Sequence, residues 1–431
     1  MTIKNGSQIS SGTSKNSTGQ GSNVDIKTNI LSLDNNAKIS TATLGKGNAG
    51  SILVQNANSV TVNNNSIISS AIQTGAVASQ PSNIEIQTKS LSLNENSQII
   101  ASTSGTGDAG QVNISHAEII TLNNNSSIST STNDGGNGQG GNIDIQTNLF
   151  SVNNGSQILA KTVGNGDAGN ISLTVPIEVN ISDANSGLFS LTESSLGKGG
   201  KIQVNTNTFN ITKEAILNAG TTADSLGGNI IIKANDFNAS SGGKLITTTS
   251  GKGRTGDISL NTTKSILLSG NSSGVFANTQ SGSNGDGGNV FANSVQLSIT
   301  DGAGVGVDSQ GTGNGGNIQI QVGSITLDRK AFISATTASS EGGNINLQVQ
   351  NTSLGIPMLL MGNNSFITAT AGNNGNGGNI NIDAPFIVAF STENSDITAN
   401  AFQGRGGNIQ IRVQINEYFF SFPTRIIILL C

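Results

Sequence analysis

Fourteen times along the chain a glycine-rich turn opens into the same short alternation of apolar and polar residues, at a nearly constant spacing of 28 to 32 residues. Counted from the residue before the first apolar position, the units begin at Asn23, Ser51, Asn83, Gln111, Asn142, Asn170, Lys201, Asn229, Asp257, Asn289, Asn317, Asn344, Asn379 and Asn408. A unit this small cannot bury its own apolar face and must stack on its neighbours, so the repeat commits the chain to a solenoid. It also overrides the two or three domains that 431 residues would otherwise suggest. Residues 1–413 read as one repeat domain and 414–431 as a non-repeat apolar tail. The end of that tail, from Tyr418 to Cys431, is too short for a membrane-spanning helix and has Pro423 and Arg425 inside it.

Each unit holds three alternations. The first follows the glycine turn, as in Ile143 and Ile145 or Ile318 and Ile320; period two marks one face of a strand. The second, as in Leu31 and Leu33 or Phe209 and Ile211, ends in an Asn-rich corner such as Asn123-Asn124-Asn125, where Asn tolerates left-handed backbone. The third tapers from large aliphatic to small to Thr, as in Ile39-x-Thr41-x-Thr43 and Ile333-x-Ala335-x-Thr337. That taper fits an interior corner with the Thr hydroxyl bonded to turn backbone. The predicted fold is all-β: a parallel β-helix solenoid of about 14 coils with three strands per coil, a rod of about 65 to 70 Å at the spacing of stacked strands.

Units that open with Ala-Gly or Thr-Gly (Ser51, Gln111, Asn170, Asp257) run 31 or 32 residues and most others 28, so the duplicated module spans two coils. The unit from Asn344 swells to 35 residues, which places a looped insertion or bulge around Gly355-Ile356-Pro357-Met358-Leu359-Leu360.

Composition narrows the function classes. With 57 Gly, 3% aromatic residues and no Trp, the chain cannot build a core around large side chains, yet its Ile, Val and Leu recur in register, which disordered chains lack. A net charge of −5 with 20 scattered basic residues gives no footprint for a phosphate backbone, so no nucleic-acid partner is expected. Cys431 is the only cysteine, which excludes a disulfide framework and a cysteine metal site.

The recurring segments GGNIDIQT (Gly140 to Thr147) and SQIIAST (Ser97 to Thr103), with LxLxNxS between such blocks, resemble the repeat region of filamentous haemagglutinin-like exoproteins of the two-partner secretion class, in particular large cyanobacterial members. The resemblance covers residues 1 to 413 and implies a right-handed β-helix. It also implies an extracellular or outer-membrane location, adhesion or aggregation as function, and an outer-membrane transporter for export. The partners it implies are a host or neighbouring cell surface, an extracellular glycan or other rods, with self-association. Members of that class begin with a signal peptide and a secretion domain. Here MTIKNGSQISSGT has neither, and Ile9, Ser11 and Thr13 already match the third strand, so the chain is expected to be a piece of a longer protein.

Candidate chemistry is sparse. GKGNAG at Gly45, GTGDAG at Gly105 and GNGDAG at Gly164 fit the dinucleotide fingerprint but precede strands, so they read as turn glycines with positive φ. Asp108, Asp167, Asp257 and Asp286 sit in glycine turns, one carboxylate per coil, too few for a calcium ion. Asp25, Glu85 and Asp144 occupy equivalent outward positions two coils apart, with Leu53 and Asn113 between; about 10 Å is near the upper limit for an inverting glycosidase pair. The only histidine, His116, has inner parity and reads as a corner residue. No catalytic group, metal or cofactor is therefore assigned, and the chain is read as a non-enzyme; a β-helix polysaccharide hydrolase or lyase and an inert spacer are the alternatives.

Ice binding would need outward Thr, whereas this Thr column shares parity with buried Ile. Two outward columns remain as a possible contact surface. One is an apolar strip on the third strand, Ile100, Leu159, Phe189, Ile246 and Phe276; the other is an amide column on the first, Gln55, Gln87, Gln146, Asn205, Asn261, Asn293, Gln321 and Gln348, which can also stack into a stabilising ladder.

Overall fold

The structure is a computed structural model that describes residues 1–193, 197–222, 224–350, 356–390 and 392–413. The described residues contain strands and turns and no helix. All fourteen predicted starts are borne out: each first strand begins at the residue after its predicted reference position, from Val24–Lys27 to Ile409–Arg412. The strands pair in parallel, coil on coil, in a β-solenoid.

The chain divides into two compact units, Met1–Asn210 with Glu214–Ile230, and Ile211–Lys213 with Ile231–Cys431. In each, two parallel sheets form the wall. One sheet holds the first and second alternations, the other holds the third. Three strands per coil were expected, and the first two of them share a sheet. In many coils they form one long strand, such as Val112–Leu122 or Ile318–Asp328. A register shift absorbs the bend in several coils, as between Ile114 and Ala117. The third alternation forms short strands such as Gln98–Thr103 and Phe332–Ser334.

Period-two alternation puts every second side chain into the interior. Ile143, Phe150, Val152 and Ile158 are buried in one coil, as are Ile318, Ile325, Leu327 and Ile333 in another. The tapered column also faces inward. Thr132, Thr162 and Thr192 donate their hydroxyls to the carbonyls of Gly138, Asp167 and Lys198 at 3.1, 2.9 and 2.7 Å, so the Thr array belongs to the interior corner and offers no flat face to ice.

The Asn-rich corners are pairs of left-handed residues: Asn35 and Asn36 (φ 53° and 62°), Asn64 and Asn65, Asn124 and Asn125. Asn36 is followed by a buried Ala37, but after Asn65 and Asn125 a buried Ser turns inward and its hydroxyl accepts a backbone N–H from the preceding coil, Ser66 from Ala37 and Ser126 from Ser97. In three of the four longer units, those from Ser51, Gln111 and Asp257, the extra residues form small β-turns after the third strand. In Gln73–Ala76, Asn133–Gly136 and Gln280–Ser283 the last N–H returns to the first carbonyl.

In the unit from Asn344, pairing jumps from Val322–Val349 to Ile325–Leu359. Met358–Met361 is therefore the second strand itself, not part of the insertion that was expected to include it. The added residues lie between Val349 and Met358, and Ile356 among them is 66% exposed. The predicted tail from Tyr418 lies outside the described residues.

Candidate functional site

Glycine comes first, because it decides what the turns can do. In the three fingerprint-like segments only the middle residue carries positive φ: Gly47 at 155°, Gly107 at 133° and Gly166 at 143°. Positive φ was expected to explain all the turn glycines, and for the first and last it does not. A Cβ on Gly110 would lie 1.8 Å from the Ser82 carbonyl oxygen and one on Gly169 1.8 Å from that of Gly141, with the same crowding at Gly288, Gly316 and Gly343. This column of glycines lets one coil's backbone sit on the next. Its cause is stacking, and it leaves no space for a phosphate.

The Asp residues of these turns have a structural task. Asp108 Oδ1 accepts the N–H of Gln139, Asp167 Oδ1 that of Lys198, and Asp286 Oδ1 that of Asn314, at 2.7 to 2.8 Å. Amides in the same role, such as Gln139 Oε1 on Asp167 N–H, show that the acceptor oxygen matters rather than the charge. Among the described residues no three His, Cys, Asp or Glu side chains come together as a metal site.

The regular amide ladder runs along the reference positions. Asn142 Oδ1 accepts the N–H and Nδ2–H of Asn170, and Asn317 and Asn344 receive the same pair of bonds from Asn344 and Asn379, at 2.9 to 3.1 Å. The expected amide column is in register from Asn261 through Asn293 and Gln321 to Gln348, and is interrupted nearer the N-terminus. Gln87 donates to Glu85 of its own strand at 2.8 Å, while Gln55 lies opposite Lys27 and Gln146 opposite Thr174. The signal for the true ladder was present in the repeated Gly-Gly-Asn.

The carboxylate column falls where the spacing placed it: Asp25 pairs with Leu53, Leu53 with Glu85, Glu85 with Asn113 and Asn113 with Asp144. Burial pushes the Asp144 carboxyl above its ordinary value, partly offset by a hydrogen bond from Ser172. A raised folded value means that the ionised form is disfavoured by folding. The penalty is absent below the unfolded value of about 4 and grows as pH rises through the folded value. Asp144→Asn is accordingly expected to melt slightly higher than wild type at neutral pH, with the gap closing near pH ~3.5, as thermal unfolding across that range would show.

His116 corrects its parity. The bulge after Ile114 turns it out at φ 63°, exposed, with Nδ1 3.0 Å from Ser115 Oγ. Another exposed cluster is an ion network: Arg329 hydrogen-bonds Asp301 at 2.5 Å and pairs with Asp328, which holds the Asp301 carboxyl well below the usual carboxylate range.

The apolar strip is half-buried rather than open. Leu159 lies beside Phe189, and Ile246 beside Phe276, whereas Ile100 stands between Ser69 and Ser129. Two aromatic residues were missed because they occupy the neighbouring outward column, ahead of the inner Ile in Phe332-Ile333 and Phe366-Ile367. The Phe332 ring lies over Gly304, where any Cβ would be 2.3 Å from it. It stacks on Phe366 at 5.6 Å between centroids, 12° from parallel, and on Phe276 at 6.3 Å.

Beside Phe366 a cleft of about 320 Å³ is lined by Asn364, Ser365, Phe366, Thr368, Asn394, Asp396 and Thr398. No protein-family model, curated protein or solved structure matches the chain.

Proposed function

We propose that the chain is the repeat body of a secreted or surface-attached exoprotein of the filamentous haemagglutinin-like kind, acting in adhesion or aggregation through many weak lateral contacts rather than through catalysis. The reading is carried by one observation: the conspicuous polar groups of the turns, Asp108, Asp167, Asp286 and the reference Asn ladder, are committed to bonding one coil to the next. What is left to face outward is a set of repeated columns, suited to repeated contacts with a cell surface, an extracellular glycan or other copies. The motif resemblance adds the expectation of export through an outer-membrane transporter.

The test is display. Latex beads coated with the purified chain are expected to clump with one another or to bind cells more than beads coated with a heat-unfolded control. Equal behaviour of the two would favour an inert spacer.

A polysaccharide hydrolase or lyase is the second reading, favoured by the Glu85 and Asp144 alignment and the raised Asp144 carboxyl. It predicts polysaccharide cleavage that disappears in both Glu85→Gln and Asp144→Asn. The proposed function predicts none.

A further inference from the structure

The aromatic staircase Phe276, Phe332 and Phe366 ends where the next strand carries a carboxylate: Phe366 is in register with Asp396, and Thr368 with Thr398. The ring of Phe366 is packed on one side by Phe332 and remains 38% exposed, and the cleft opens between it and the coil of Asp396. Among the cleft's other polar groups, Ser365 donates to the Gly362 carbonyl at 2.6 Å. Thr398 donates to Thr368 at 2.9 Å, and Asn394 donates to Asn364 at 3.4 Å. Asp396 is the charged group of the lining, and its side chain is exposed.

Local charge favours a cation. At the adjoining corner Glu393 Oε2 accepts the N–H of Asn363 at 3.2 Å, and Asp328 Oδ1 accepts from the Asn363 amide at 2.8 Å. Of the nearby bases, Arg329 is held by Asp301 and Asp328, and Lys330 belongs to the corner one coil before Asn364, outside the lining. An open aromatic face draws a cation, a carboxylate one strand away at about 4.8 Å pairs with it, and a planar group extends a stack of rings where a tetrahedral ammonium cannot.

We propose that this cleft receives an arginine side chain of a partner polypeptide, its guanidinium laid on Phe366 and forked onto Asp396. Such a site is independent of where the protein works. An arginine is favoured over a sugar ring because the lining hydroxyls are already bonded, Thr398 to Thr368 and Ser365 to the Gly362 carbonyl, whereas among the described residues the exposed face of Phe366 and the Asp396 carboxylate are left open.

The full chain labelled with 4-fluorophenylalanine gives the readout, with the Phe366 fluorine resonance assigned by its loss in Phe366→Leu. Titration with the blocked tripeptide acetyl-Gly-Arg-Gly-amide is expected to shift that resonance. Its citrulline counterpart, planar but uncharged, is expected to bind at least tenfold more weakly. Asp396→Asn, an exposed isosteric change that leaves the fold intact by circular dichroism, is expected to weaken the arginine peptide about tenfold, or about 1.4 kcal/mol. Equal shifts from the arginine and citrulline peptides, or an arginine response unchanged in Asp396→Asn, would overturn the proposal. So would a resonance that moves with maltotriose and not with the arginine peptide, which would make the cleft a saccharide site.

Discussion

Gly316→Ala is expected to be among the most damaging single methyls that can be added to this chain, lowering stability by about 3 kcal/mol or more. The Cβ would lie 1.8 Å from the carbonyl oxygen of Gly288, and the next glycine of the column, Gly343, would meet the Gly316 carbonyl at 1.7 Å. Both obstacles are backbone, so no side chain can swing away. Relief requires the coils to separate, at the expense of their shared hydrogen bonds. Gly282→Ala is the control. That residue has open space around its Cβ position and only an unfavourable φ of +85°, so about 1 kcal/mol is expected. Urea unfolding of the two variants measures the difference. Equal losses would mean that these glycines serve backbone conformation alone.

Ile143→Asp is expected to cost several kcal/mol and to abolish a cooperative transition in its half of the chain, because it places a carboxylate among Val112, Ile171 and Ile145, all buried. The native sequence supplies the comparison one residue later. Asp144 is a carboxylate on the same strand, facing out, and the fold carries it with a modest upward push on its carboxyl. Moving an acid by one residue reverses its face, since side chains on a strand alternate. A variant with Thr174→Asp, an exposed outward position in register with Gln146 and not with an acid, is expected to unfold close to wild type. A melt of Ile143→Asp indistinguishable from that of Thr174→Asp would overturn the assignment of faces.

The fold was legible in residues that repeat. Fourteen reference positions located fourteen strand starts, and the parity of Ile143 and Ile145, or Leu31 and Leu33, separated inside from outside, because stacking parallel coils offers no other way to bury an apolar stripe. The inward Thr column and the left-handed Asn corners were legible for the same reason: each is a local backbone need met by a side chain that suits it.

Contacts between coils were decided only in three dimensions. Nothing in the Gly45 or Gly105 segments distinguishes a glycine that needs positive φ from one that needs a missing Cβ, since the second depends on a carbonyl some thirty residues away. A bulge reversed the face of His116, and the split of the 35-residue unit depended on which strand Met358–Met361 paired with. The cleft beside Phe366 was hidden for the same reason. Its ring, its carboxylate and its hydroxyls come from successive coils and meet only when Phe366 and Asp396 fall into register. Sequence by itself determined the repeat, the strand and its buried face, because these depend on period and on neighbours in the chain; tertiary structure decided register, close approach and the cleft, because these depend on which atoms of one coil rest on those of the next.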